Sequence, residues 1–168
     1  MKMSLIRETT TPTRGTKNSA GLDIYIPKFT NDYIRAFNSY NPDAQSQCFI
    51  EPSRKLICIH PHGRVHIATG IKVKVPEGSA LFVKNKGGIS WRDRMTKLAE
   101  VVDEDYQGEI FVTMINYSDY KTTLMENQKL VQLVRCPVFY DSIELVKPEE
   151  IHVIQTERGA GAMGSTGV

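Results

Sequence analysis

The stretch Ile71-Lys72-Val73-Lys74-Val75, closed by Pro76-Glu77-Gly78, alternates apolar and charged residues without a break. Period-two alternation gives a strand one buried and one wet face, and Pro-Glu-Gly is turn chemistry. On either side the same signature recurs. Residues 55–59, 64–75, 80–83, 109–116, 130–138 and 142–146 are rich in Val and Ile and bounded by Gly, Pro, Asn or Asp, so each is predicted as a strand. Short strands at about ten-residue spacing point to an all-β sandwich or barrel rather than an alternating βαβ sheet.

One segment departs from this pattern. Residues 30–40 place Tyr33, Ile34, Phe37 and Tyr40 at helical spacing, with Thr30 or Asn31 as the cap and Asn41-Pro42 as the stop. We read a short helix inside an insertion spanning about 28–53, its aromatic rings packed onto the body. Trp91, beside Arg92, Asp93 and Arg94, reads as a packed aromatic on a charged surface.

Composition narrows the function classes. A length of 168 residues suits one domain with a real core, and 40% hydrophobic with 24% charged residues is ordinary for a globular chain. A net charge of +2 argues against a nucleic-acid surface, and no apolar run approaches the roughly 20 residues that span a bilayer. Three cysteines (Cys48, Cys58, Cys136) without metal-type spacing fit a reducing compartment, so the expected location is the cytoplasm. His60, His62 and His66 lack a metal-binding register in an extended segment and read as surface or turn residues.

Two stretches carry chemistry. Val101-Val-Asp-Glu-Asp-Tyr-Gln-Gly-Glu-Ile110 sets the three consecutive carboxylates Asp103, Glu104 and Asp105 and a tyrosine at a strand–turn–strand junction. Such a turn is either a solvated tip or a place where acids polarise water or collect a divalent cation. Residues 158–168 form a Gly-rich end headed by Arg158, with Ser165 and Thr166 among the glycines. That end is either a solvated tail or a flap whose N–H groups, hydroxyls and guanidinium converge on phosphate.

Read in chain order, Ala20-Gly-Leu-Asp-Ile-Tyr25, Asn85-Lys-Gly-Gly-Ile-Ser90, the acidic turn, Asn127-Gln-Lys-Leu-Val-Gln-Leu133 and the segment from Arg158 to Gly167 resemble the five motifs of the trimeric dUTP pyrophosphatases (dUTPases). The resemblance implies a jelly-roll or distorted β-barrel of residues 1–157, with residues 158–168 as a flap over the active site. It also implies a homotrimer with interfacial active sites, and Mg²⁺-dependent hydrolysis of dUTP to dUMP and pyrophosphate. That reaction limits uracil in DNA and supplies dUMP.

By the same resemblance Asp103 orients the attacking water, and Tyr106 lies under the deoxyribose and excludes a 2′-hydroxyl. The main chain from Leu98 to Val102 forms a hairpin that reads the base. Lys86, Gly87, Gly88, Gln132, Arg158, Gly164, Ser165 and Thr166 hold the phosphates, Met163 covers the base, and Asp23 supports the metal through water. Glu104 and Asp105 are left as solvated bystanders.

Several positions depart from the family pattern. Lys86-Gly87-Gly88 stands for Arg-Ser-Gly, which removes a guanidinium fork and a hydroxyl. Lys97 lies near the expected uracil-reading asparagine, Met163 replaces a phenylalanine, and Asn127 replaces a turn glycine. The pattern resembles a divergent, phage-type branch, which would place the protein in a host cytoplasm. A dCTP deaminase needs a proton-shuttling glutamate where this chain has Thr113. Two alternatives remain: a related hydrolase acting on dCTP or a modified dUTP, and a dUTPase-like nucleotide-binding regulator that contacts a protein partner through the insertion.

Overall fold

The strand predicted from the 71–75 alternation forms with the predicted polarity: Ile71 and Val73 are buried, Lys72 and Lys74 exposed. The computed structural model describes residues 1–161, side chains 44 and 45 excepted, and divides at Val138 into two units. In chain order the first unit runs β1 (Lys2–Leu5), β2 (Leu22–Tyr25), α1 (Asn31–Tyr40), α2 (Ala44–Gln47), β3 (Cys48–Glu51), β4 (Leu56–Ile59), β5 (Arg64–Ala68) and β6 (Ile71–Lys74). It continues with β7 (Ser79–Asn85), α3 (Gly87–Trp91), β8 (Met95–Lys97), β9 (Val101–Val102), β10 (Phe111–Asn116), β11 (Thr122–Met125) and β12 (Lys129–Pro137).

These strands form antiparallel sheets in the orders β1-β6, β5-β10-β8, β11-β4-β3 and β2-β12-β7-β9, and they do not close into a barrel. Their inner faces supply one core, with Ile24, Ile57, Ile67, Leu81, Met114, Leu124 and Leu130 all buried. Residues 64–75 are two strands rather than one. The chain breaks at Thr69-Gly70, where Gly70 has φ +74° and Thr69 turns its hydroxyl onto the carbonyl of Ile110 at 2.7 Å.

The helix expected at 30–40 is α1. Thr30 accepts the N–H of Tyr33 at 3.2 Å, capping the first turn. Asn41 then does three things at the other end. Its amide donates to the carbonyls of Phe37 (2.8 Å) and His66 (2.9 Å), and its oxygen accepts the His66 N–H at 2.8 Å. The helix is thereby stapled to β5, with Tyr33 and Phe37 in the core and Tyr40 edge-on to Phe111 at 4.9 Å. The insertion is built in rather than appended, since β3 lies inside it and pairs with β4.

Two other expectations are corrected. His66 is not a surface histidine: its ring stacks on Phe111 at 4.7 Å, and its Nδ1 bonds the Thr113 hydroxyl at 2.7 Å. Burial, with the nearby charge of Arg64, lowers its pKa. Trp91 is not packed; it is 87% exposed, while Arg92 next to it grips Asp93.

The second unit, from Phe139, holds α4 (Pro148–Ile151) and otherwise extended or turn-like chain. Residues 142–146 form no strand, because a strand needs a hydrogen-bonded neighbour and none among the described residues pairs with them. Phe139, Tyr140, Ile143, Leu145, Val153 and Ile154 are all exposed.

Candidate active site

β9 delivers the acidic turn. Val102 is buried opposite Leu81 on β7, and the next residue, Asp103, is exposed. The turn closes when the Tyr106 N–H reaches the Asp103 carbonyl at 3.3 Å. Glu104 is not a solvated bystander, because its carboxylate accepts the Gly78 N–H at 2.8 Å and ties the turn to the residue just before β7. Asp105 is exposed, as expected. The Tyr106 hydroxyl donates to the Glu109 carbonyl at 2.7 Å, and the ring lies over Gly108. A methyl on Gly108 would come 2.5 Å from the Tyr106 Cζ, so only glycine admits the ring there.

Glu109 itself carries no role in the sequence reading. It is buried, takes a two-point contact from Arg7 (2.8 and 2.9 Å) and accepts the Gly70 N–H at 2.7 Å. A glutamate at the head of an apolar strand was the available signal.

A second cluster forms where β2, β12 and the end of β7 meet. Asp23 is buried, and one of its oxygens accepts Lys86 Nζ at 2.6 Å while the other accepts Lys129 Nζ at 2.8 Å. Burial opposes ionisation of Asp23, but the hydrogen bonds from Lys129 and Lys86 outweigh it and hold the pKa below the usual carboxylate value. Lys129 was missed, although it lies within the fourth motif. Gln132 faces Asp23 across the β2–β12 pair and donates to the Asn85 carbonyl at 3.2 Å. Gly21 leaves room for it, since a Cβ there would stand 2.8 Å from the Gln132 oxygen. Gly87 and Gly88 open α3 with nothing within 4 Å of where a Cβ would sit, so their backbone is accessible. Asn127 takes φ +61°, the left-handed conformation that a turn glycine would supply.

Leu98–Val102 is not a hairpin. β8 pairs with β10 and β9 with β7, so this connection steps from one sheet to another. The Leu98 N–H is spent on the Thr113 carbonyl at 2.9 Å. The Lys97 N–H goes to the side chain of Asn85 at 3.0 Å, and its ammonium pairs with Glu100. Glu100 also takes Lys84 Nζ at 2.6 Å, and hydrogen bonds from Lys84 and Lys97 hold its pKa at about 2. Residues 98–102 are therefore fenced by a lysine–glutamate–lysine row.

The two clusters lie apart on one chain. Val102 is opposite Leu81, five residues before Lys86 along the β7 direction, and at about 3.3 Å per residue that is roughly 16 Å. Antiparallel pairing carries Asp103 further away still.

In the second unit Arg158 is exposed, its Nε donating to the Gly161 carbonyl at 3.1 Å. Met163, Gly164, Ser165 and Thr166 lie outside the described residues. Among the described residues no three His, Cys, Asp or Glu side chains gather to hold a metal ion.

Comparison with known proteins bears on this arrangement. A family model described as dUTPase matches residues 52–167. A deoxyuridine 5'-triphosphate nucleotidohydrolase of Heliobacterium modesticaldum is 31% identical over 173 residues, covering 100% of this chain and 98% of that protein. Staphylococcus bacteriophage 80alpha dUTPase with dUPNHPP superposes with a TM-score of 0.75 at 18% identity, covering 99% of this chain and 98% of that one. A mutant dUTPase from phage phi11 of S. aureus, whose structure details coordination of a structural Mg(II) ion, gives 0.67 at 18% identity over 88% and 97%. The two solved structures speak to the fold. The family model and the full-length relative go further, and with them the chain belongs to the dUTPase family.

Proposed function

We propose that this chain hydrolyses dUTP to dUMP and pyrophosphate, with Asp103 orienting the water and Tyr106 selecting the deoxyribose. One observation carries the reading: the Asp103–Tyr106 turn is tied down at both ends, by Glu104 on Gly78 and Glu109 on Gly70, while Asp103 itself stays exposed. A carboxylate on a rigid turn is suited to accept a hydrogen bond from water and then its proton as oxygen attacks the α-phosphorus. The α–β bridging oxygen leaves with pyrophosphate. Lys86, Gln132 and Arg158 donate to the phosphate oxygens, with Gly164, Ser165 and Thr166 of the flap adding donors and Met163 lying over the base.

Asp23 supports this by holding Lys86 and Lys129 side by side. With both its oxygens taken by ammonium groups, the described residues do not fit a resident metal site. Mg²⁺ is assigned instead to the substrate, bound to triphosphate oxygens, where it neutralises phosphate charge.

The roughly 16 Å between the two clusters supports sites shared between subunits of a homotrimer. So does the exposed apolar series from Phe139 to Ile154, a surface that another copy would cover. The 158–168 segment is then a flap that completes the site.

Pyrophosphate release from dUTP, dCTP, dTTP and UTP, with and without Mg²⁺, tests the reading. Fast turnover of dUTP alone supports it, and selective hydrolysis of UTP contradicts the role of Tyr106. The Lys84–Glu100–Lys97 row on the base-reading stretch favours one second reading, a hydrolase whose base is cytosine or a modified uracil. Preferred turnover of dCTP in the same panel would establish it.

A further inference from the structure

We propose that Arg7 and Glu109 are positioning residues for Tyr106, and that through its ring they set the discrimination between deoxyribo- and ribonucleotides. The inference rests on the reading of Tyr106 as the residue under the sugar. A ring that excludes a hydroxyl by occupying its space is only as selective as its placement. On this chain the placement has two supports: the ring face on Gly108 and the hydroxyl on the carbonyl of Glu109.

That carbonyl is held by an unusual amount of buried bonding. The Glu109 carboxylate takes both nitrogens of the Arg7 fork at 2.8 and 2.9 Å and the Gly70 N–H at 2.7 Å. The next residue, Ile110, donates its N–H to Ile71 at 2.9 Å and accepts the Thr69 N–H and hydroxyl at 3.1 and 2.7 Å. Residues 109 and 110 are thus fixed by side chain and main chain alike to the segment Thr69–Ile71. Arg7 comes from the far end of the sequence, just after β1, and its guanidinium matches the carboxylate in a planar, two-point geometry that a lysine cannot reproduce. Loosening this clamp frees the acceptor of the Tyr106 hydroxyl, while the Asp103 end of the turn keeps its own tie through Glu104 and Gly78 and both lysines of the other cluster stay paired with Asp23.

A purely structural salt bridge would behave differently. Its loss would lower activity toward every nucleotide alike, whereas loss of positioning changes the ratio of kcat/KM for dUTP to that for UTP. Four variants separate the cases, with folding checked by circular dichroism and thermal melting: Arg7→Lys, Glu109→Gln, Tyr106→Phe and Tyr106→Ala. Arg7→Lys and Glu109→Gln are expected to lower the dUTP:UTP ratio about tenfold, within the roughly 100-fold range that a misplacement of about 1 Å commands. The kcat of Arg7→Lys for dUTP should stay within a few-fold of wild type. Tyr106→Phe, which keeps the ring and removes the tether, should lower the ratio to the same extent. The double variant Arg7→Lys/Tyr106→Phe should be no worse than either single one, because both break the same chain of contacts.

A wild-type ratio in Arg7→Lys or Tyr106→Phe, alongside lost discrimination in Tyr106→Ala, would overturn this inference and leave the sugar-gate reading standing. Undiminished discrimination in Tyr106→Ala would overturn the sugar-gate reading itself. Glu109→Gln adds an independent break in the clamp, and if it fails to fold, the surface variant Tyr106→Phe still decides the outcome.

Discussion

If each active site takes Asp103 from one copy and Lys86 from another, two inactive variants should rescue each other. Asp103 is exposed, so Asp103→Asn should change stability by no more than about 0.5 kcal/mol. Lys86→Met removes one of the two ammonium groups on Asp23 but leaves Lys129 at 2.8 Å, so the carboxylate stays paired and the fold is retained. Prepared alone, the Asp103→Asn protein should lose about 10²–10⁴-fold in turnover and Lys86→Met a comparable amount. When the two are refolded together in equal amounts, a site drawing on two copies receives an intact Asp103 and an intact Lys86 about one time in four, so activity should recover to about a quarter of wild type. The assay is pyrophosphate release from dUTP by the mixture, with differently tagged subunits co-purified to prove that mixed oligomers formed. Mixed oligomers that show only the average of the two residual activities would refute the argument, because a site contained in one chain always keeps one lesion.

Other outcomes follow from the same geometry. Asp103→Asn should still bind a non-hydrolysable dUTP analogue with near wild-type affinity in calorimetry, since the residue is assigned to the water and not to the nucleotide. Removing residues 158–168 should leave the melting temperature within a few degrees of wild type but reduce kcat by orders of magnitude; a truncated protein at full kcat would remove the flap from the mechanism. His66 has a depressed pKa in the folded protein, so below its ordinary value of about 6.5 the unfolded chain binds a proton that the folded one resists, and stability should fall as pH drops through that window. Melting curves from about pH 8 down to pH 5 check this, and His66→Gln should flatten the dependence between those limits. Asp23, with its pKa lowered, contributes stability that is present above about 3.9 and lost as pH falls below that value, a loss that Asp23→Asn should abolish in acid-unfolding curves.

Local pattern made part of this molecule legible. The 71–75 alternation, the Thr30 cap and the stop at Asn41 are decided by residues a few positions apart, and each formed as read. Long-range partners were not legible. Lys129 and Lys86 converge on Asp23 only because β12 pairs with both β2 and β7, and nothing near Lys129 in sequence announces a buried carboxylate. Glu109 looked like the first residue of a strand until Arg7 and Gly70 closed on it. β1 was missed although Lys2-Met3-Ser4-Leu5 alternates, because four residues are too few to decide a strand and its pairing with β6 is a tertiary contact. Residues 142–146 erred the other way, with the composition of a strand and no neighbour among the described residues. The insertion's Tyr33 and Phe37 pack into the core as read, but what holds them there was not legible: Asn41 folds the helix down onto β5 through His66.

The most direct test of the central claim is to let the enzyme turn over dUTP in water enriched in the heavy oxygen isotope and weigh the products. Attack by an Asp103-oriented water on the α-phosphorus predicts one heavy oxygen in dUMP and none in pyrophosphate. Heavy oxygen in pyrophosphate, or release of inorganic phosphate in its place, would contradict it.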